Sequence, residues 1–190
     1  DAMIFLNGVI ENYSFVDTTR ISLIGFSRGS NVAYKFAVRS SYVKAMNVFF
    51  SATNVFDPLL IADAKNATLT FTSPHYIVNN ICINDAMYPY CNGNISLAEG
   101  RRKILSWSPA WYAESLPRTN AFHGTLDPAI PITQAYFIDS MLNYNNPGGS
   151  NFQLFEYPNG GHSMSSMTGF EPHALELIRD VITPVVIYEN

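Results

Sequence analysis

The chain has 190 residues, 47% of them hydrophobic, enough for one domain with a substantial core. Charged residues make up 14%, well under the roughly 25% of average soluble domains. The net charge is −4 and the longest basic run is Arg101-Arg102-Lys103, which argues against nucleic acid or an anionic membrane as the main partner. No apolar run approaches the ~20 residues of a membrane span, and no signal peptide is visible. The chain starts at Asp1 rather than Met, so a trimmed, processed or partial product is expected.

Met3, Leu6, Ile10 and Tyr13 recur at helical spacing and predict an amphipathic helix over 2–13. Asp17-Thr18-Thr19-Arg20 reads as a polar turn. Residues 21–26 (ISLIGF) form a short strand too continuously apolar for a one-sided sheet. A helical pattern resumes over 28–39 through Val32, Ala33, Phe36 and Ala37, and 45–51 (AMNVFFS) reads as a second buried strand. Residues 52–117 lack sustained periodicity, with a helix expected only near 96–105. Strands are predicted at 120–123 and 152–157, and helices at 132–143 and 171–182, with Pro184 beyond the last. Strands alternating with helices predict a parallel sheet covered on both faces, an α/β fold.

Two cysteines, Cys82 and Cys91, lie in the irregular segment with eight residues between them. A metal site needs further ligands, and only His75 is near in sequence, so a local disulfide and an oxidising compartment, such as the secretory route, are expected. The sequons at Asn12, Asn66 and Asn94 are no more than chance supplies from 18 Asn and 28 Ser or Thr.

The informative stretch is Gly25-Phe26-Ser27-Arg28-Gly29, set between a predicted strand and a predicted helix. A strand that turns sharply into a helix leaves little room beside the turning residue. Gly25 and Gly29 are expected to supply that room, which forces Ser27 into an unusual backbone conformation with its Oγ exposed. The N–H of Arg28, at the helix start, is then a candidate oxyanion donor. The Arg28 side chain is either solvated or ion-paired, or it meets an acidic substrate group. A nucleophilic serine needs a base, and the base an orienting acid. Asp127, after the third strand, and His162, after the fourth, supply both in the chain order that such an elbow uses. The carboxyl ends of parallel strands open on one sheet edge, so all three loops are predicted to converge there. His123 reads as a turn-packing residue, His75 and His173 as surface or packing residues, and Asp139 as a solvated helix position.

At these residues the sequence resembles the C-terminal part of an α/β-hydrolase domain, in its prolyl-oligopeptidase-like and dienelactone-hydrolase-like branches. The residues that carry the likeness are Asp17-Thr18-Thr19-Arg20-Ile21, Gly25–Gly29, Ser108-Pro109, His123-Gly124, Asp127, Pro131, Tyr157-Pro158 and Gly161-His162. The resemblance implies Ser27 as nucleophile, Asp127 as orienting acid and His162 as general base, with no metal or organic cofactor. It also implies that 52–117 is a lid-like excursion that sets substrate choice.

There are two departures. Ser30 stands where the peptidase branch usually has a second glycine. The family also places several strands and a second oxyanion donor before the helix that here begins at residue 2. Those strands are expected from an N-terminal fragment or a second chain that pairs with strand 21–26. The activity implied is a serine hydrolase acting on an ester or related acyl bond of a small-molecule or peptide substrate. A prolyl-oligopeptidase-type peptidase is the first alternative. A catalytically silent relative that serves as a binding or structural protein is the second.

Overall fold

The computed structural model describes residues 2–58, 83–145 and 151–182. In chain order these are α1 (Ala2–Asn12), β1 (Ile21–Phe26), α2 (Arg28–Ala37), β2 (Val43–Phe49), α3 (Tyr88–Cys91), α4 (Leu97–Ser106), β3 (Arg118–Gly124), α5 (Thr133–Asn145), β4 (Phe152–Tyr157) and α6 (Glu171–Ile182). A π-helical turn (Ile83–Met87) precedes α3, and 3₁₀ segments lie at Pro109–Ser115 and Met164–Ser166.

The four strands form one parallel sheet in the order β1-β2-β3-β4. One face carries Met46, Val48 and Ala121 against Tyr34 and Phe36 of α2 and Ile138 of α5. The other carries Phe49 and Phe122 against Met167, Phe170 and Ala174 around the start of α6. The inner strands β2 and β3 are therefore buried on both faces, as a parallel sheet covered by helices requires. At one register level each strand contributes a phenylalanine, Phe26, Phe49, Phe122 and Phe155. Their rings stack in a row at 4.8, 4.6 and 5.1 Å between centroids.

Several boundaries differ from the sequence reading. β2 runs over Val43–Phe49 rather than 45–51, because Phe50 has φ 40 and leaves the ladder. Within 52–117 the described residues hold α3 and the 3₁₀ segment besides the expected helix near 96–105. That helix, α4, starts where the Ser96 side chain accepts from the N–H of Glu99 at 3.2 Å, satisfying one of the free donors of its first turn. The expected Cys82–Cys91 bridge is not found. Cys91 closes α3 with an exposed, free thiol, and Cys82, like His75 and Asn66, lies outside the described residues. No described helix is long and apolar enough to cross a membrane.

Candidate active site

Three loops leave the carboxyl edge of the sheet, after β1, β3 and β4, and each brings one of the predicted site residues. Ser27 stands between β1 and α2 with φ 50 and ψ −121, as the sharp strand-to-helix turn requires. The need for room is met at Gly25, where a β-carbon would lie 2.7 Å from Ser30 Cα and 2.8 Å from the Gly29 carbonyl oxygen. Gly29 differs from the expectation, since a β-carbon there meets nothing within 4 Å among the described residues. The turn is also tied from below. The Ser27 N–H donates to the Phe49 carbonyl at 2.9 Å, and the buried Ser30 hydroxyl donates to the same oxygen at 3.0 Å. Ser30 thus clamps α2 onto β2.

Asp127 is buried in the loop after β3. Its Oδ1 accepts from the N–H groups of Ala129 (2.8 Å) and Ile130 (2.9 Å), which leaves Oδ2 for a side chain. Oδ2 lies 2.7 Å from His162 Nδ1, and His162 Nε2 lies 2.9 Å from Ser27 Oγ. A carboxylate only accepts, so Nδ1 carries the proton and the Nε2 lone pair faces the serine hydroxyl. Burial alone would raise the Asp127 carboxyl. The His162 hydrogen bond and the two backbone N–H groups outweigh it and hold the group below the usual carboxylate range. Ser27, His162 and Asp127, far apart in the chain, thus form one hydrogen-bonded series.

Arg28 is the first residue of α2, so its N–H has no carbonyl to meet within the helix. Its guanidinium lies 5.8 Å from the Trp107 ring centroid, and the Lys35 ammonium sits over the same ring at 3.2 Å. Burial pushes the Lys35 ammonium down to about 8.

Three residues near the site were passed over or undervalued in the sequence. The Phe50 ring packs against His162, with centroids 4.5 Å apart and planes at 50°. His123, 1% exposed, has Nε2 2.8 Å from the Ile130 carbonyl and 3.6 Å from Asp127 Oδ2. A carbonyl only accepts, so His123 donates and pins the loop that carries Asp127. Burial first, then His162 near by, holds the His123 imidazole below its ordinary value and so favours the neutral form. Gln134, fully buried, accepts the N–H groups of Thr53 and Asn54 at 2.9 and 2.8 Å and donates to Asp57 at 2.9 Å. It fixes the loop after β2. Only His123 had a signal, its place before Gly124 at a strand end.

His173 and Asp139 are away from this series: His173 stacks on Phe155 at 4.3 Å and Asp139 accepts from Asn143 at 2.9 Å. Among the described residues no three His, Cys, Asp or Glu side chains are grouped to hold a metal ion.

No family model matches the sequence, and no curated protein does. Solved structures do match. A puromycin-hydrolyzing peptidase of Mycobacterium tuberculosis superposes on 96% of this chain with a TM-score of 0.68 at 14% identity. An acylaminoacyl peptidase of Pyrococcus horikoshii covers 98% with a TM-score of 0.65 at 16% identity. Acetyl xylan esterase 1 from Thermoanaerobacterium sp. JW/SL YS485 covers 94% with a TM-score of 0.61 at 19% identity. The chain has the α/β-hydrolase fold.

The chain spans 25%, 28% and 50% of the length of those three proteins. β1 stands at the end of the sheet, and among the described residues no strand pairs with its second side.

Proposed function

We propose that the chain carries the catalytic serine, base and acid of a serine hydrolase that cleaves an ester or related acyl bond. The observation that carries this reading is the Asp127–His162–Ser27 hydrogen-bond series, ending on a positive-φ serine at the start of a helix. Ser27 Oγ attacks the acyl carbonyl carbon and its proton passes to His162 Nε2. Asp127 keeps Nδ1–H in place and stabilises the imidazolium that forms. The Arg28 N–H donates to the oxyanion. Collapse expels the leaving alcohol or amine, which takes the Nε2 proton. Water, deprotonated by the same nitrogen, then releases the acid and restores Ser27.

An esterase is favoured over a peptidase because Ser30, whose hydroxyl clamps α2 to β2, stands where the peptidase branch usually has a second glycine. Both classes occur among the proteins of similar fold. Of the 52–117 excursion, the described Trp107 is tied to α2, where Asn31 donates to its carbonyl at 3.1 Å. The free side of β1 takes a further strand from a polypeptide outside these residues, and that strand brings the second oxyanion donor. Lack of one donor costs about 10²–10³ in rate.

A fluorophosphonate probe tests the reading directly. It labels Ser27 in the wild type and not in Ser27→Ala, and Ser27→Ala abolishes p-nitrophenyl ester turnover. Equal turnover by both proteins puts the chemistry elsewhere. Absence of labelling, even with the completing polypeptide present, makes the chain a silent relative with a binding or structural role.

A further inference from the structure

β2 ends on a strained residue. Phe50 has φ 40, a left-handed conformation that glycine takes freely and a bulky side chain resists. It is nonetheless held there, 5% exposed, with its N–H donating to the Phe122 carbonyl at 2.8 Å. One strand over, Ser27 repeats the arrangement, with φ 50 and its N–H on the Phe49 carbonyl. Two neighbouring strands thus each end in a left-handed, non-glycine residue tied to the next strand. At Ser27 the result is a half-buried hydroxyl set 2.9 Å from His162 Nε2. At Phe50 the result is a ring aimed at His162, with centroids 4.5 Å apart and planes at 50°. Backbone strain kept in a regular ladder gathers where a site needs the geometry it gives.

The imidazole of His162 has two polar restraints, Asp127 at Nδ1 and Ser27 at Nε2. When Ser27 Oγ is bonded to an acyl group it no longer donates to Nε2, and the Asp127 bond alone lets the ring swing about the Nδ1 contact. The Phe50 ring, 4.5 Å away and tilted at 50°, is a further restraint on that swing. We propose that Phe50 is a positioning residue: its ring, aimed by the left-handed backbone, holds the His162 imidazole in line while Ser27 is acylated. The proposal rests on the serine-hydrolase reading. It assigns Phe50 to the second half-reaction, in which His162 must present Nε2 to water with no help from the serine hydroxyl.

The test compares the full chain with Phe50→Gly, which keeps the backbone and deletes the ring, Phe50→Leu, which fills the volume without a flat face, and Phe50→Tyr, which keeps the face. Two readouts are taken: the His162 Nδ1–H proton by NMR in the fluorophosphonate-labelled protein, where Ser27 Oγ no longer donates to Nε2, and the burst and steady-state phases with p-nitrophenyl acetate. Phe50→Gly and Phe50→Leu are expected to broaden or lose the Nδ1–H resonance. They slow hydrolysis of the acyl-enzyme by about 10- to 100-fold, the scale of a 1 Å misplacement. The burst changes less than about threefold, and Phe50→Tyr restores both readouts. An unchanged Nδ1–H resonance in folded Phe50→Gly and Phe50→Leu overturns the proposal, with or without turnover. Equal loss from burst and steady state also overturns it, since that marks a structural role. Failure of the hydrolase reading shows separately, as identical turnover by the wild type and Ser27→Ala.

Discussion

Gly124 and Gly160 approach so closely that a β-carbon on Gly124 would lie 2.2 Å from the Gly160 carbonyl oxygen. That oxygen also accepts the N–H of Leu126 at 2.9 Å. The loop that carries Asp127 is therefore seated directly on the loop that carries His162, backbone against backbone. Because the clash is with main chain, no side-chain rotation relieves it. Gly124→Ala is expected to destabilise by at least the 1–3 kcal/mol typical of overpacking, roughly, and to separate Asp127 from His162. Gly29→Ala, by contrast, meets open space and leaves stability near that of the wild type. Thermal melts and probe labelling of both variants check this, and a Gly124→Ala protein that melts and labels like the wild type refutes it.

Ser27 gives a second expectation. At φ 50 and ψ −121 any side chain strains the backbone, whereas glycine does not. Ser27→Ala and Ser27→Gly both lose the hydroxyl, so their difference isolates that strain. Ser27→Gly should exceed Ser27→Ala in stability by about 1 kcal/mol, in the same direction as the ordinary preference for glycine over alanine at a helix N-cap. Denaturant titration of the pair measures the sign.

Much of this was legible in the sequence for identifiable reasons. Ser27 announced itself through flanking glycines at a strand–helix junction, and Asp127 and His162 through their places just after strands. β4 and α6 fall on the predicted residues because short apolar runs with clear breakers mark their ends. Phe50 and Gln134 were not legible. A positive φ on a phenylalanine leaves no trace in composition, and it ends β2 at Phe49, two residues before the predicted end. Gln134 sits on an otherwise ordinary helix, yet its amide reaches across to Thr53, Asn54 and Asp57, contacts that only the tertiary fold creates. The turn at 83–91 has too few residues for periodicity to register.

Stability should fall in two stages on acidification. The His123 imidazole is held below its ordinary 6.5 in the folded state. The unfolded chain therefore takes up a proton first, and stability declines as the pH drops below about 6.5. Asp127 is likewise held below its ordinary 3.8, so its contribution is complete above that value and is lost as the pH falls further. Both depressions carry the same sign: the unfolded state binds more protons. His123→Gln removes the upper stage and keeps the lower one. Urea melts between pH 7 and 3 follow this, and an upper stage that persists in His123→Gln assigns it to another group.

The last expectation concerns the free side of β1. Its sequence, Ile-Ser-Leu-Ile-Gly-Phe, has no charge and no proline, and natural edge strands use both to discourage pairing. Ile24 is 54% and Phe26 41% exposed, and Ile4 and Phe5 of α1 are also exposed. Among the described residues Phe26 ends the row of stacked rings at the β1 side of the sheet. A bare apolar edge in water invites strand-to-strand association, so the chain studied alone should show a weight-average mass that rises with concentration. A charge on the edge opposes this, and because Ile24 lies outside the core, Ile24→Lys should reduce the association at little cost in stability. Tyr144→Lys, at an 88% exposed position, serves as the control that adds the same charge elsewhere. Sedimentation equilibrium decides: association reduced by Ile24→Lys and not by Tyr144→Lys locates it at β1. A concentration-independent monomer in the wild type shows that the edge is already protected.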